Sequence, residues 1–238
     1  APPKPLELPM NPKVLVFLES LALAPVGHYG RQSKEMVSFS ISERETVSLV
    51  GPSGAGKTTV ARKIVGLAKV GSGNISVLGV DLQKSAMHMK TRARLAMIFQ
   101  DSSLSLNPLM SIGDQVAEPI RSHNSRMTKA QLRIEAKRLL EEVGLGEVSI
   151  SRKPNELSGG QRQRVNIARA MALAPLVVVA DEPTSSLDSV LEAEILTLLR
   201  TLQAKHGFGL LFISHDSELA KGFANKVVSI GHGKEKQE

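Results

Sequence analysis

Gly51-Pro52-Ser53-Gly54-Ala55-Gly56-Lys57-Thr58-Thr59 decides how this chain folds. The nine residues fit G-x-x-x-x-G-K-[ST], a loop whose backbone N–H groups close around phosphate. Its flanks agree. Thr46-Val47-Ser48-Leu49-Val50 is β-branched and apolar, and reads as a buried strand. Val60 to Leu67 reads as a helix that ends near Gly66. Strand, glycine loop and helix in that order present backbone donors and a positive helix end to an anion. Lys57 is placed to reach the β- and γ-phosphates of a nucleoside triphosphate, and Thr58 to give its hydroxyl to Mg2+.

Further along lies Val177-Val178-Val179-Ala180-Asp181-Glu182-Pro183, an apolar run that ends in two carboxylates. Carboxylates at a strand's C-terminal edge face the ligand crevice of an open α/β sheet. Asp181 is then expected to hold Mg2+, and Glu182 to polarise the attacking water. Between these motifs stands Leu157-Ser158-Gly159-Gly160-Gln161, followed by Arg162-Gln163-Arg164. Ser158 reads as the N-cap of a helix running to about Ala174, with Met171 and Leu173 on its apolar face. The two glycines let a phosphate approach the backbone at that helix start.

The three stretches together resemble the nucleotide-binding subunit of an ABC transporter, from about Val37 to about Gly231. The resemblance implies an α/β fold: a P-loop NTPase (RecA-like) core sheet with an antiparallel β subdomain and an inserted helical subdomain. It implies ATP and Mg2+ as cofactors and ATP hydrolysis as the activity. The phosphate cradle would be Gly51, Pro52, Ser53, Gly54, Ala55, Gly56 and Lys57, with Thr58 on the metal and Thr59 at the α-phosphate. In the family, the motif at Ser158, Gly159, Gly160 and Gln161 touches the γ-phosphate of ATP bound to the opposite subunit. Gln100, after the apolar run Leu95 to Phe99, falls where the family senses the γ-phosphate and Mg2+ and links to the membrane subunit. His215, in Ser214-His215-Asp216, resembles the switch that contacts the γ-phosphate. Asp188, in Ser185-Ser186-Leu187-Asp188, resembles the loop that couples two ATP sites.

One position departs from the family. ABC ATPases stack adenine on an aromatic residue upstream of the glycine loop, where this chain has Ala24 or Pro25. Two readings of nearby Tyr29, the chain's sole tyrosine, stand: a surface loop residue, or a ring that swings in onto adenine. Apolar contacts alone are the third way to hold the base.

The 238 residues suit one ABC ATP-binding domain with a sizeable core. Within it, about 99–157 reads as the helical subdomain and 1–13 as an extended, proline-rich leader. Thr128-Lys129-Ala130-Gln131 has capping-box spacing, and Leu132, Ala136, Leu139, Leu140 and Val143 then share one helical face. Leu191, Ile195, Leu198 and Leu202 mark a later helix closed by Gly207. Val14 to Phe17 and Met36 to Ile41 read as antiparallel strands, and Asn74 to Gly79 as one more. No run of eighteen apolar residues occurs, so no membrane span is expected. The absence of cysteine excludes disulfides and thiolate-held metal. The net charge is +7, but the cations are scattered and aromatic residues make up 3%, so no nucleic-acid platform is expected.

Asp101-Ser102-Ser103-Leu104-Ser105-Leu106-Asn107-Pro108, with Ile112-Gly113-Asp114 and Ala117-Glu118-Pro119, narrows the resemblance to the oligopeptide, dipeptide and nickel importer branch. That branch implies uptake of peptides, nickel or a metal chelate. The implied partners are a second ATPase subunit (a paralogue rather than an identical copy), two membrane permeases and, indirectly, a periplasmic or extracellular solute-binding protein. The implied location is peripheral, on the cytoplasmic face of the plasma membrane. The permease is expected to dock on Gln100 to Glu118, with Leu104 and Leu106 as contacts. A competing reading is an accessory ABC ATPase of a multi-subunit enzyme or a nucleic-acid factor.

Overall fold

The computed structural model describes residues 13–23, 36–84, 87–100 and 105–231. Residues 1–12 of the expected leader, Ala24, Pro25, Tyr29 and Leu104 lie outside them. Three strands in the middle of the parallel sheet set the architecture: β3 (Thr46–Val50), β7 (Val177–Asp181) and β8 (Gly209–Ser214). Every residue of all three is buried. That follows from their largely apolar, β-branched composition, which suits strands covered on both faces. With β6 (Leu95–Ile98) and β9 (Lys226–Ser229) they form a five-stranded parallel sheet in the order β6-β7-β8-β3-β9. The C-terminal ends of β3, β7 and β8 share one edge, since Val50 pairs with Ser214 and Asp181 with Ile213.

A second, antiparallel sheet runs β2-β1-β4-β5. It comprises β1 (Val14–Ala22), β2 (Met36–Ser42), β4 (Asn74–Val77) and the two-residue β5 (Val80–Asp81). Helix α1 (Lys57–Ile64) packs between the sheets, so Val60, Ala61 and Ile64 share one core with Leu18, Leu21, Val47 and Ile213. Lys63 on the same helix is fully buried and donates Nζ to Ala22 O at 2.6 Å. Burial pushes its ammonium below the usual lysine range.

Beyond the short α2 (Met89–Arg92) and β6, the chain builds α3 (Ile112–His123) and α4 (Lys129–Glu142). Ser111 caps α3 by accepting from Asp114 N, and Thr128 and Gln131 close the expected capping box on α4. Leu132, Ala136, Leu139, Leu140 and Val143 are all buried, as their spacing requires. They pack with α3 and with α5 (Gly159–Met171) into a core that also takes the other face of the parallel sheet. Helix α6 (Ser189–His206) ends at Gly207, whose φ of 76° is the left-handed conformation glycine tolerates. Its buried stripe is Ile195, Leu196, Leu199 and Leu202; Leu191 and Leu198, expected on that face, are half-buried at its margin. A charged knot ties α4 to α6. Glu142 lies 2.8 Å from Lys205 Nζ, 2.5 Å from His206 Nε2 and 3.1 Å from Arg138. Burial alone would raise the Glu142 carboxyl, but the bonds from Lys205 and His206 outweigh it and hold it below the usual range. The last helix is α7 (Ser217–Phe223). Among the described residues no helix is long and apolar enough to cross a membrane.

Leu106 is 3% exposed and belongs to the α3–α4–α5 core. It is therefore not a docking contact, contrary to the expectation from sequence. Its neighbour Leu109 is the side chain turned outward, 80% exposed. The sequence shows three leucines in a polar loop, Leu104, Leu106 and Leu109, and does not say which the core takes.

Candidate functional site

The loop from Gly51 to Gly56 leaves β3 and enters α1. Gly51 is pressed against the chain after β9: a Cβ there would collide with the Ile230 carbonyl. Gly56 stands at the start of α1 with φ 98°, which strains any other residue. The helix has no side-chain cap and no acidic residue in its first turn. Its first N–H groups and its dipole are thus left for an anion. Lys57 is 5% exposed, and its Nζ donates to Gly51 O at 2.7 Å and Pro52 O at 3.0 Å. The ammonium is held inside its own loop by carbonyls, ready for phosphate oxygens.

Thr58 faces across to the sheet edge and donates its hydroxyl to Asp181 Oδ1 at 3.3 Å. Asp181 is buried at the end of β7. Burial pushes its carboxyl up; the Thr58 hydrogen bond opposes that, and the Glu182 charge adds to it. A carboxylate raised by desolvation gains when a cation arrives. Among the described residues no three His, Cys, Asp or Glu side chains are grouped to hold a metal. Thr58 and Asp181 could hold an ion that takes its remaining ligands from phosphate and water, as Mg2+ does beside a nucleotide. Bound there, Mg2+ would neutralise charge on the phosphates.

Glu182 turns sharply out of β7 with φ 46°. Its N–H donates to Ile213 O at 3.1 Å, so the turn is fixed to the next strand. Three groups meet on its carboxylate. Gln100, just past β6, donates Nε2 to Oε2 at 3.3 Å. His215, just past β8, places Nδ1 3.3 Å from the same oxygen. Lys57 Nζ stands 3.8 Å from Oε1. Asp216 caps α7 through Glu218 N and Leu219 N, which holds the segment carrying His215 in place. Residues 57, 58, 100, 181, 182 and 215, scattered along the sequence, thus share one edge of the sheet.

Two other sets stand apart from it. Ser158 caps α5 by accepting from Gln161 N at 3.2 Å, and Ser158 N donates to Gln161 Oε1 at 3.0 Å. Among the described residues no hydrogen bond or ion pair joins Ser158–Gln161 to the glycine loop. Asp188 caps α6, accepting from Val190 N and Leu191 N, both at 3.0 Å. Gln163 looks like an ordinary polar helix position in the sequence. It is buried on α5 and donates Nε2 to Pro183 O at 2.7 Å, behind Glu182. Its place in the stripe Gly160, Gln163, Ile167, Met171 is the signal that could have found it.

Residues 35–185 match the family model described as ABC transporter. The chain belongs to the ABC transporter family. It is 41% identical over 203 residues to "Oligopeptide transport ATP-binding protein OppF" of Salmonella typhimurium, covering 84% of this chain and 61% of that protein. The protein of the same name from Streptococcus mutans is 38% identical over 230 residues, covering 94% of this chain and 74% of that one. The chain spans less than two-thirds of the Salmonella protein's length. Among solved structures it is similar to the ATP-binding cassette MJ0796, a dimer in a post-hydrolysis state bound to ADP and Pi. That match has a TM-score of 0.77 at 30% identity and covers 91% of this chain and 94% of that one. The parallel and antiparallel sheets and the glycine loop are those of an ABC ATPase of the P-loop NTPase fold.

Proposed function

We propose that this chain is the ATP-hydrolysing subunit of an importer that takes up peptides. The observation that carries the chemistry is the meeting of Lys57, Gln100 and His215 on Glu182, beside the Thr58–Asp181 pair. In this reading the loop from Gly51 to Thr59 holds the phosphates, and Thr58 and Asp181 hold Mg2+. Glu182 takes a proton from the attacking water. Gln100 and His215 stand where a γ-phosphate would lie between them and Lys57. The peptide class is carried over from relatives named for oligopeptide transport.

The remaining parts are carried over from the family the chain belongs to. The glycine loop and the Ser158–Gln161 helix start are both present, and among the described residues no bond joins them. A second ATPase subunit, a paralogue of this one, would bring its own α5 start to the nucleotide held here, with Asp188 in the segment between the two sites. Two permeases and an extracytoplasmic solute-binding protein would complete the importer, with this chain peripheral on the cytoplasmic face. The permease contact is assigned to the surface that begins at Gln100 and includes Leu109. A cavity of about 650 Å³ between α3 and α4 adjoins it, lined by Met110, Ala117 and Leu132 with Arg121, Lys129 and Arg133.

The test is a pair of variants. Glu182→Gln should bind ATP, lose nearly all turnover and accumulate as an ATP-bound dimer in gel filtration, alone or with its partner subunit. Adding Ser158→Arg should abolish that dimer while ATP affinity stays near wild type. Wild-type turnover in Glu182→Gln removes Glu182 from the mechanism. Loss of ATP binding in the isolated Ser158→Arg chain would show that the site closes within one subunit.

A further inference from the structure

Gln163 is a buried polar side chain that the reading above leaves without a task. It is 2% exposed, and its Nε2 donates to Pro183 O at 2.7 Å. Pro183 follows Glu182 directly. Proline has no N–H, so its carbonyl is the one backbone group through which that position can be held. Glu182 sits in the left-handed region at φ 46°. A non-glycine residue keeps such a conformation only where its surroundings over-determine it. The turn supplies some of the restraint, since Ser185 N and Ser185 Oγ both donate to Glu182 O, at 3.3 and 3.1 Å. Strand β8 supplies more, through Ile213 O at 3.1 Å from Glu182 N. Gln163 reaches the turn from a third element, α5.

That element starts at the glycines proposed to meet the partner's nucleotide. The start of α5 is packed on the segment that follows Glu182: a Cβ added at Gly160 would come within 3.1 Å of Leu191, and one at Gly159 within 3.9 Å of Leu187. Thr184 is tied into the same unit by donating to Glu192 Oε2 at 2.8 Å. The Gln163 bond therefore runs between the helix that would contact one ATP and the turn that carries the base for the other.

We infer that Gln163 is a positioning residue for Glu182. It holds the Pro183 carbonyl so that the Glu182 carboxylate keeps its aim, and it passes displacement of the α5 start to this chain's own base. The inference rests on the ATPase reading, in which Glu182 handles the attacking water. Gln163 is buried behind the Glu182 turn and bonds Pro183 O, away from the glycine loop, so its effect belongs on kcat and not on ATP binding.

The experiment compares Gln163→Met, which keeps the length of the side chain and loses the donor, with Gln163→Asn, which keeps the amide but is one methylene too short. Both are measured with the full chain, alone and with its partner subunit. Each should lower kcat about ten- to a hundredfold, with the KM for ATP within twofold of wild type. In the Glu182→Gln background, Gln163→Met should change nothing further, because a residue acting through Glu182 has no effect once the carboxylate is gone. A residue needed only for folding would instead lower the folded fraction and leave kcat per folded molecule unchanged. Circular dichroism melts and active-site titration with a labelled ATP analogue separate these cases. The inference falls if a folded variant keeps wild-type kcat, if KM rises by the factor that kcat falls, or if the loss multiplies on top of Glu182→Gln. Should Glu182→Gln itself turn over at wild-type rate, the ATPase reading fails first. An inactive Glu182→Gln beside a fully active Gln163→Met removes the Gln163 assignment alone.

Discussion

Lys57→Ala offers a perturbation whose size can be worked from the geometry. The ammonium donates to Gly51 O and Pro52 O and stands 3.8 Å from Glu182 Oε1. Hydrogen bonds from a charged group contribute about 1.5–3 kcal/mol each, offset by the cost of keeping the ammonium 5% exposed. A net loss of about 2 kcal/mol lowers the melting temperature by about 4–8 °C for a domain of this size. ATP adds a second, separable readout. At about a hundred times its Kd, a ligand stabilises the wild type by about 2.7 kcal/mol. If the ammonium makes two such bonds to phosphate, its removal weakens binding by about 3 kcal/mol, or a little over a hundredfold. The same concentration then lies near the variant's Kd, and the stabilisation shrinks to about 0.4 kcal/mol. The chain has no tryptophan and one tyrosine, so melting is best followed by circular dichroism at 222 nm, with and without a non-hydrolysable ATP analogue and Mg2+. Equal melting temperatures without nucleotide, together with equal shifts on adding it, would refute both the loop-bracing and the phosphate-cradling role of Lys57.

Asp181→Asn should melt higher than wild type at neutral pH in EDTA. The folded carboxyl is raised by burial above its unfolded value of about 3.9, so its penalty is absent below that value, sets in as pH rises toward the folded value and is complete above it. The two melting curves should converge near pH 4; a gap that is constant with pH would assign the effect to something other than the charge. Leu106→Glu should lose about 3–5 kcal/mol by placing an unpaired charge in the α3–α4–α5 core. Leu109→Glu, on an exposed side chain, should fold normally, keep basal ATPase and lose stimulation by the permease. A wild-type melting temperature for Leu106→Glu, or full permease stimulation of Leu109→Glu, would reverse that assignment.

The features legible in the sequence are those that a few neighbouring residues decide. The glycine loop is readable because Gly56 needs a left-handed φ between a buried strand and a helix. The α4 capping box is readable because Thr128 and Gln131 answer each other within one turn. The strands β7 and β8 announce themselves by apolar runs, and β3 by β-branched and apolar residues around the small hydroxyls of Thr46 and Ser48. By contrast β9, with Lys226, Val227 and Ser229 exposed at the sheet's edge, has no pattern of its own and exists by pairing with β3. Lys63 reads as a solvated helix residue until the carbonyl of Ala22, 41 positions earlier, is found to accept its hydrogen bond.

The candidate site divides along the same line. Its members could be named one by one, because each ends a strand or opens a helix. What holds them could not be. Thr58 meets Asp181 across 123 positions, Gln100 meets Glu182 across 82, and His215 meets Glu182 across 33. Each of these contacts depends on the strand order β6-β7-β8-β3, which brings four separate strand ends to one edge. The carboxylate of Glu182 is therefore placed by the sheet's topology, and its φ of 46° by the turn, β8 and α5 acting together. The residue types gathered at this edge are displayed by the sequence. The geometry of the edge rests on long-range bonds such as Gln163 to Pro183, between residues that in the sequence look like an ordinary polar helix position and a turn proline.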